Sequence, residues 1–132
     1  MKACLIVLGI LAVSSTAFAQ SYGLTDAVKK KDGITYMCSG IGESKDDPRV
    51  SSFPMKIVFA TNSSALYSDV TVRVSDSSGK QVFENFCDGA WLLLKVDPGK
   101  YHVTATDKKG QSRSCDMNIG SSQTQCTLRW PD

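Results

Sequence analysis

From Met55 onward the chain is interrupted by a turn about every ten residues, and short β-prone stretches fill the gaps. Met55 to Ala60 carries Ile57 and Phe59 on one face. Val70-Thr71-Val72-Arg73-Val74 alternates strictly, with the valines inward and Thr71 and Arg73 outward. Asp76-Ser77-Ser78-Gly79 turns into a strand from Gln81 to Phe86, and Cys87-Asp88-Gly89 turns into Trp91 to Val96. Asp97-Pro98-Gly99 leads to Lys100–Thr106, where Tyr101, Val103 and Ala105 face inward. Lys108-Lys109-Gly110 leads to a last pair, Ser112–Ile119 and Thr124–Trp130. No segment after the first apolar run sustains a helical period. The pattern predicts an all-β sandwich of seven to eight strands.

The chain opens with Met1-Lys2, an apolar run from Ala3 to Val13, and the small-x-small site Ala17-Phe18-Ala19. This reads as a secretory signal peptide over residues 1–19, with cleavage before Gln20 and Cys4 lost with it. The run is too short to span a membrane, and no later stretch approaches one. The expected division is a signal at 1–19, an N-terminal segment and loop packing on the sandwich at 20–54, and the sandwich itself at 55–132. Within the middle part, residues 20–33 read as a lead-in, with Lys29-Lys30-Lys31 as a solvated tether beside Asp26 and Asp32. Ile34 to Cys38 is β-prone, and the Gly- and Ser-rich stretch to Pro54 is a loop. The 15 basic residues are interspersed with 13 acidic ones. A nucleic-acid partner would need a concentrated basic face, so none is expected.

Four cysteines follow the signal: Cys38, Cys87, Cys115 and Cys126. In an exported chain an even number reads as two disulfides, which small domains use to supplement a modest core. A zinc site is the rival, but there is no CxxC pair and only one histidine. If Gly120-Ser121 is a two-residue hairpin turn, Cys115 falls opposite Cys126. That leaves Cys38 with Cys87, stapling the N-terminal segment to the sandwich.

The run Val72-x-Val74-x-Asp76-x-x-Gly79-x-x-Val82, followed by Gly89-x-Trp91-x-Leu93-x-x-Val96-x-Pro98-Gly99-x-Tyr101-x-Val103-x-Ala105, resembles the carboxypeptidase regulatory-like domain. The likeness covers roughly residues 55–130 and implies a transthyretin-like, Ig-like sandwich. Gly40-Ile41-Gly42 and Phe59-Ala60 are similar to features of small stand-alone exported versions in Gram-negative bacteria, which implies a periplasmic or secreted location. The resemblance implies a fold and a compartment, and no reaction. Pro98, Gly99 and Tyr101 form its structural corner: Pro98 sets φ, Gly99 supplies freedom, and the Tyr101 hydroxyl can cap the turn. The hydrolases of the wider fold depend on several histidines and a Tyr-Arg-Gly-Ser-like terminus, whereas this chain ends Leu128-Arg129-Trp130-Pro131-Asp132.

Chemistry is sparse. His102 is the one imidazole and alternation sets it outward; Glu43, Asp46 and Asp47 match no calcium loop and sit beside Pro48. Asp88 is explained by its turn, and the sequon Asn62-Ser63-Ser64 matters only in a eukaryotic host. No catalytic, cofactor or metal set emerges, so the expectation is a non-enzymatic module. A cleft joining His102 to acidic residues is the feature that would point to an enzyme instead. In the motif register Trp91, Leu93 and Val96 point into the sandwich and Leu92 and Leu94 away from it. Val58 and Phe83, which interrupt the alternation of their strands, join that outer face. Either Ile34–Met37 lies across this face as a lid, or Val58, Phe83, Leu92 and Leu94 dock a partner. The expected partner is a protein or an envelope component of the periplasm. The alternative is an inhibitor or immunity protein that presents the Gly40–Pro54 loop to a lytic enzyme or toxin.

Overall fold

The computed structural model describes residues 28–39 and 48–132. The expected signal peptide at 1–19, the acidic group Glu43, Asp46 and Asp47, and Gly40-Ile41-Gly42 lie outside them. The described chain is all-β, with nine strands in two sheets, one or two more than expected. They are β1 (Lys29–Lys31), β2 (Ile34–Ser39), β3 (Met55–Thr61), β4 (Val70–Asp76), β5 (Gln81–Cys87), β6 (Trp91–Leu94), β7 (Gly99–Thr106), β8 (Ser112–Ile119) and β9 (Thr124–Trp130). The five-stranded sheet runs β1-β2-β6-β3-β9 and the four-stranded sheet β5-β4-β7-β8.

The additional strands come from the N-terminal segment, which is part of the sheet rather than packed on it. β1 and β2 pair antiparallel, with Lys31 opposite Ile34. Asp32 and Gly33 between them have φ of 52° and 82°. Two positive φ values in a two-residue loop make a type I′ turn, whose twist matches the strands it joins. β2 then pairs with β6, Tyr36 opposite Leu94 and Cys38 opposite Leu92. Lys29-Lys30-Lys31 is therefore an edge strand, where lysines discourage pairing with another chain.

Between the sheets lies the main core: Tyr36, Met55, Ile57, Phe59, the valines of β4, Phe83, Leu92, Leu94, Val103, Ala105, Met117, Ile119, Leu128 and Trp130. Trp130 is fully buried, stacks on Tyr67 at 5.1 Å between ring centroids, and donates from Nε1 to Gln111 O at 2.9 Å. Asp107, buried beneath the β7–β8 turn, accepts from Tyr67 Oη at 2.8 Å and from the backbone N–H of Lys109 and Gln111.

The cysteines pair as Cys38–Cys87 and Cys115–Cys126, with Cα atoms 5.6 and 6.9 Å apart. The hairpin expected between β8 and β9 does not form. β8 stays with β7, whereas β9 crosses to the other sheet and pairs in parallel with β3, Ile57 opposite Cys126. Alternation places Cys115, Met117 and Ile119 on one face and Cys126, Leu128 and Trp130 on another in either arrangement. It cannot separate a flat hairpin from an arch over the core. Each disulfide consequently joins one sheet to the other, β2 to β5 at one edge and β8 to β9 at the opposite edge.

Candidate functional site

The apolar face proposed for docking is inverted. Leu92 and Leu94 lie in the main core, fully buried, and Phe83 is buried there too, edge-on to Tyr36 at 5.2 Å. The alternation of β5 is reset by a bulge: Val74 pairs with Phe83 but Ser75 with Gln81, so Val82 is the extra residue and Phe83 turns inward. In β6 the outward residues are Trp91 and Leu93. Period two counted back from Val96, which packs on the main core, yields Leu94 and Leu92. Of the four proposed residues only Val58 stays on the outer face, half-buried and opposite Trp91.

That outer face is already covered, but not by Ile34–Met37, which is a sheet strand. The lid is the stretch after Pro48, where a single 3₁₀ turn, Val50–Ser52, delivers Val50 and Phe53 onto Met37 and Leu93. Gln123 pins it, donating from Nε2 to Val50 O at 2.7 Å and Phe53 O at 3.0 Å. Lys56 extends over the Trp91 ring at 3.7 Å, and its burial lowers its pKa.

The corner residues do structural work. Tyr101 Oη donates to Asp97 O at 2.7 Å across Pro98 and Gly99, and burial raises its pKa, with Asp97 and Asp76 adding to the shift.

The opposite outer face, on the four-stranded sheet, is exposed and polar. Its strands align side chains in rows, because antiparallel partners face the same way. Phe86, Thr71, Thr106 and Ser112 form one row, and Glu84, Arg73, Thr104 and Ser114 the next. Thr106 and Ser112 share a 2.7 Å hydroxyl contact, and Arg73 Nε donates to Glu84 Oε2 at 2.9 Å. Arg73 holds the Glu84 carboxyl below its usual range. Phe86 stands about half exposed at the corner of this plane.

The third row carries the most chemistry. Ser75 on β4 is the partner of His102 on β7, and His102 is the partner of Asp116 on β8. His102 Nδ1 meets Asp116 Oδ1 at 2.6 Å. All three line one open cavity of about 700 Å³, with Asp76, Lys100, Tyr101, Met117 and Asn118 around them. Asp76 is held ionised by Ser78 Oγ and the backbone N–H of Lys80 and Ser78, which close the β4–β5 turn on it. The cavity thus joins His102 to carboxylates. Outward alternation predicted the exposure of His102, but its partners sit on other strands and only the register unites them. Among the described residues there is no group of three or more His, Cys, Asp or Glu side chains arranged to hold a metal, and no helix long and apolar enough to cross a membrane.

The fold and this face define a disulfide-clamped two-sheet β-sandwich with one outer face closed by its own chain and the other open and polar. No family model matches the chain, and comparison with curated proteins finds no relative.

Proposed function

We propose that the protein is an exported binding module of the periplasm whose recognition surface is the outer face of the four-stranded sheet. The observation that carries this reading is the asymmetry of the two outer faces. The apolar one is sealed by Val50 and Phe53, which removes it from contact with partners. The other leaves in-register rows of hydroxyls, the Arg73–Glu84 pair and the His102–Asp116 pair open to solvent, with Phe86 beside them. An exposed, polar face carrying charges of both signs suits a protein or an envelope component through directional hydrogen bonds rather than apolar burial. Two disulfides in so small a chain support export through the leader at residues 1–19. The Tyr101–Asp97 bond at the Pro98-Gly99 turn supports the likeness to carboxypeptidase regulatory-like domains.

The reading is tested by titrating isotope-labelled protein with two separate preparations, soluble peptidoglycan fragments and detergent-extracted envelope proteins. Amide shifts are then mapped onto the fold. Perturbations gathered on Thr71–Ser75, His102–Thr106 and Ser114–Asn118 support it. Perturbations confined to the Val50–Phe53 lid or to β1 would place recognition elsewhere and refute it.

A further inference from the structure

We infer that Ser75, His102 and Asp116 form a reactive acyl-transfer site, with Ser75 Oγ as nucleophile, His102 as its base and Asp116 as the positioning residue. The inference is independent of the binding role and rests on the alignment of three strands.

A carboxylate only accepts hydrogen bonds, so the 2.6 Å contact makes His102 Nδ1 the donor to Asp116 Oδ1. In the neutral ring this leaves Nε2 without a proton, on a residue that lines the cavity. Ser75 is the direct cross-strand partner of His102 on the other side. Opposed Cβ atoms in such a pair stand about 5 Å apart, which a serine hydroxyl and an imidazole can bridge by rotation about χ1. β4 keeps unbroken register with β7 through this point, which holds Ser75 beside His102 on the outer face. Ser75 Oγ makes no hydrogen bond to another described residue that would tie it down, whereas the nearby Ser78 hydroxyl is committed to Asp76 at 2.6 Å. Lys100 and Asn118, cross-strand partners one row along and lining the same cavity, supply an ammonium and an amide donor for developing negative charge.

The substrate class is a small carboxylic ester. The cavity is open, and Tyr101 and Met117 are the only large apolar side chains lining it, so it takes short acyl groups. Ser75 Oγ attacks the carbonyl carbon while its proton passes to His102 Nε2. Collapse of the tetrahedral adduct breaks the bond to the leaving oxygen, which departs with the proton from His102. The result is an acyl-Ser75 ester and a free alcohol. Water, deprotonated by His102, then attacks the acyl carbon and releases the carboxylic acid, restoring the Ser75 hydroxyl.

The test uses the oxidised full domain and p-nitrophenyl acetate, with nitrophenolate release followed by absorbance and the acetylated residue located by peptide mass mapping. The expected result is one acetyl group on Ser75, absent in Ser75→Ala. In His102→Ala acetylation of Ser75 should slow by about 100-fold, and free imidazole should restore it after the release of nitrophenolate by imidazole with His102→Ala/Ser75→Ala is subtracted, which a merely structural role would not allow. Asp116→Ala should slow acetylation and Asp116→Glu restore part of the rate, with circular dichroism unchanged in every variant. Acetylation that falls only on lysines, or a Ser75 rate indifferent to His102→Ala, would overturn the inference.

Discussion

Leu93 and Leu94 are adjacent, and both are wholly removed from solvent, yet they should respond differently to truncation. Leu94 projects between the sheets, flanked across the strands by Tyr36 and Met55. The sheets around it are tied together at both edges by disulfides, so the walls of a new void cannot close on it. Leu→Ala substitutions in cores cost about 2.7–5.0 kcal/mol, rising with the volume left empty. Leu94→Ala belongs near the top of that span, at about 4–5 kcal/mol. Leu93 lies under the Val50–Phe53 lid, a short irregular segment that can settle inward while keeping its two bonds from Gln123. Leu93→Ala should cost about 2.5–3 kcal/mol, a gap of more than about 1 kcal/mol between neighbours. Urea unfolding followed by Trp fluorescence measures both through the shift in midpoint, with the slope checked for constancy. Aspartate extends the contrast: Leu94→Asp buries an unpaired charge and should not fold, whereas Leu93→Asp should release the lid and keep the sandwich. Equal costs for the two alanines, or a stable Leu94→Asp, would refute the assignment of inner and outer faces.

Replacing Cys38 and Cys87 by alanine opens a link of 49 residues, and replacing Cys115 and Cys126 one of 11. Chain-entropy arithmetic gives losses of about 4 and about 3 kcal/mol, so the first pair should unfold at lower urea than the second. Gly89→Ala sets a methyl group against the Ser39 carbonyl, with Ser39 N 3.0 Å away. Two backbones cannot both yield there, so thermal melting should show a loss of about 2 kcal/mol or more. Burial works against ionisation of Asp107, but hydrogen bonds from Gln111 N–H, Tyr67 Oη and Lys109 N–H outweigh it and leave its pKa lowered. A lowered folded pKa contributes stability that is present above the unfolded value, near 4, and lost as pH falls through the folded one. Asp107→Asn should therefore be less stable at pH 7 and show a shallower decline on acidification below about pH 4, measured by urea midpoints across pH.

The sandwich itself was legible because β4 and β7 alternate cleanly and Gly- or Pro-containing turns punctuate the chain. The cysteine pairs were legible as well, although the second was reached through a hairpin that does not exist. Other features needed information that periodicity does not hold. The Asp32-Gly33 turn is a strong hairpin signal. It was obscured because β1 is three lysines, which give no apolar alternation. Trp91–Leu94 is apolar on both sides, so its orientation depended on anchoring the count at Val96 rather than at Leu93. The lid was hidden for a different reason: Val50 and Phe53 lie in a stretch with turn composition, and only their contact with Leu93 and Met37 reveals their role. The row of Ser75, His102 and Asp116 required the register of three strands at once, a long-range property that no single segment encodes.

The placement of the two cross-links also decides what a protease can do to this chain. A cut anywhere between Cys38 and Cys87, including the loop after β3, leaves both halves joined through sulfur. A cut in the β8–β9 arch is likewise bridged by Cys115–Cys126. Between Cys38 and Cys126, the stretch from Asp88 to Ser114 is spanned by neither bond. Within it β6 and β7 are interior strands with a hydrogen-bonded neighbour on each side. What remains open there to a severing cut is the β5–β6 turn at residues 88–90, the corner closed by Tyr101 and the turn closed on Asp107. Between Cys38 and Cys126 the molecule is thus arranged so that most single nicks leave one covalent object, a useful property wherever hydrolytic enzymes are abundant and a damaged chain is not replaced from within.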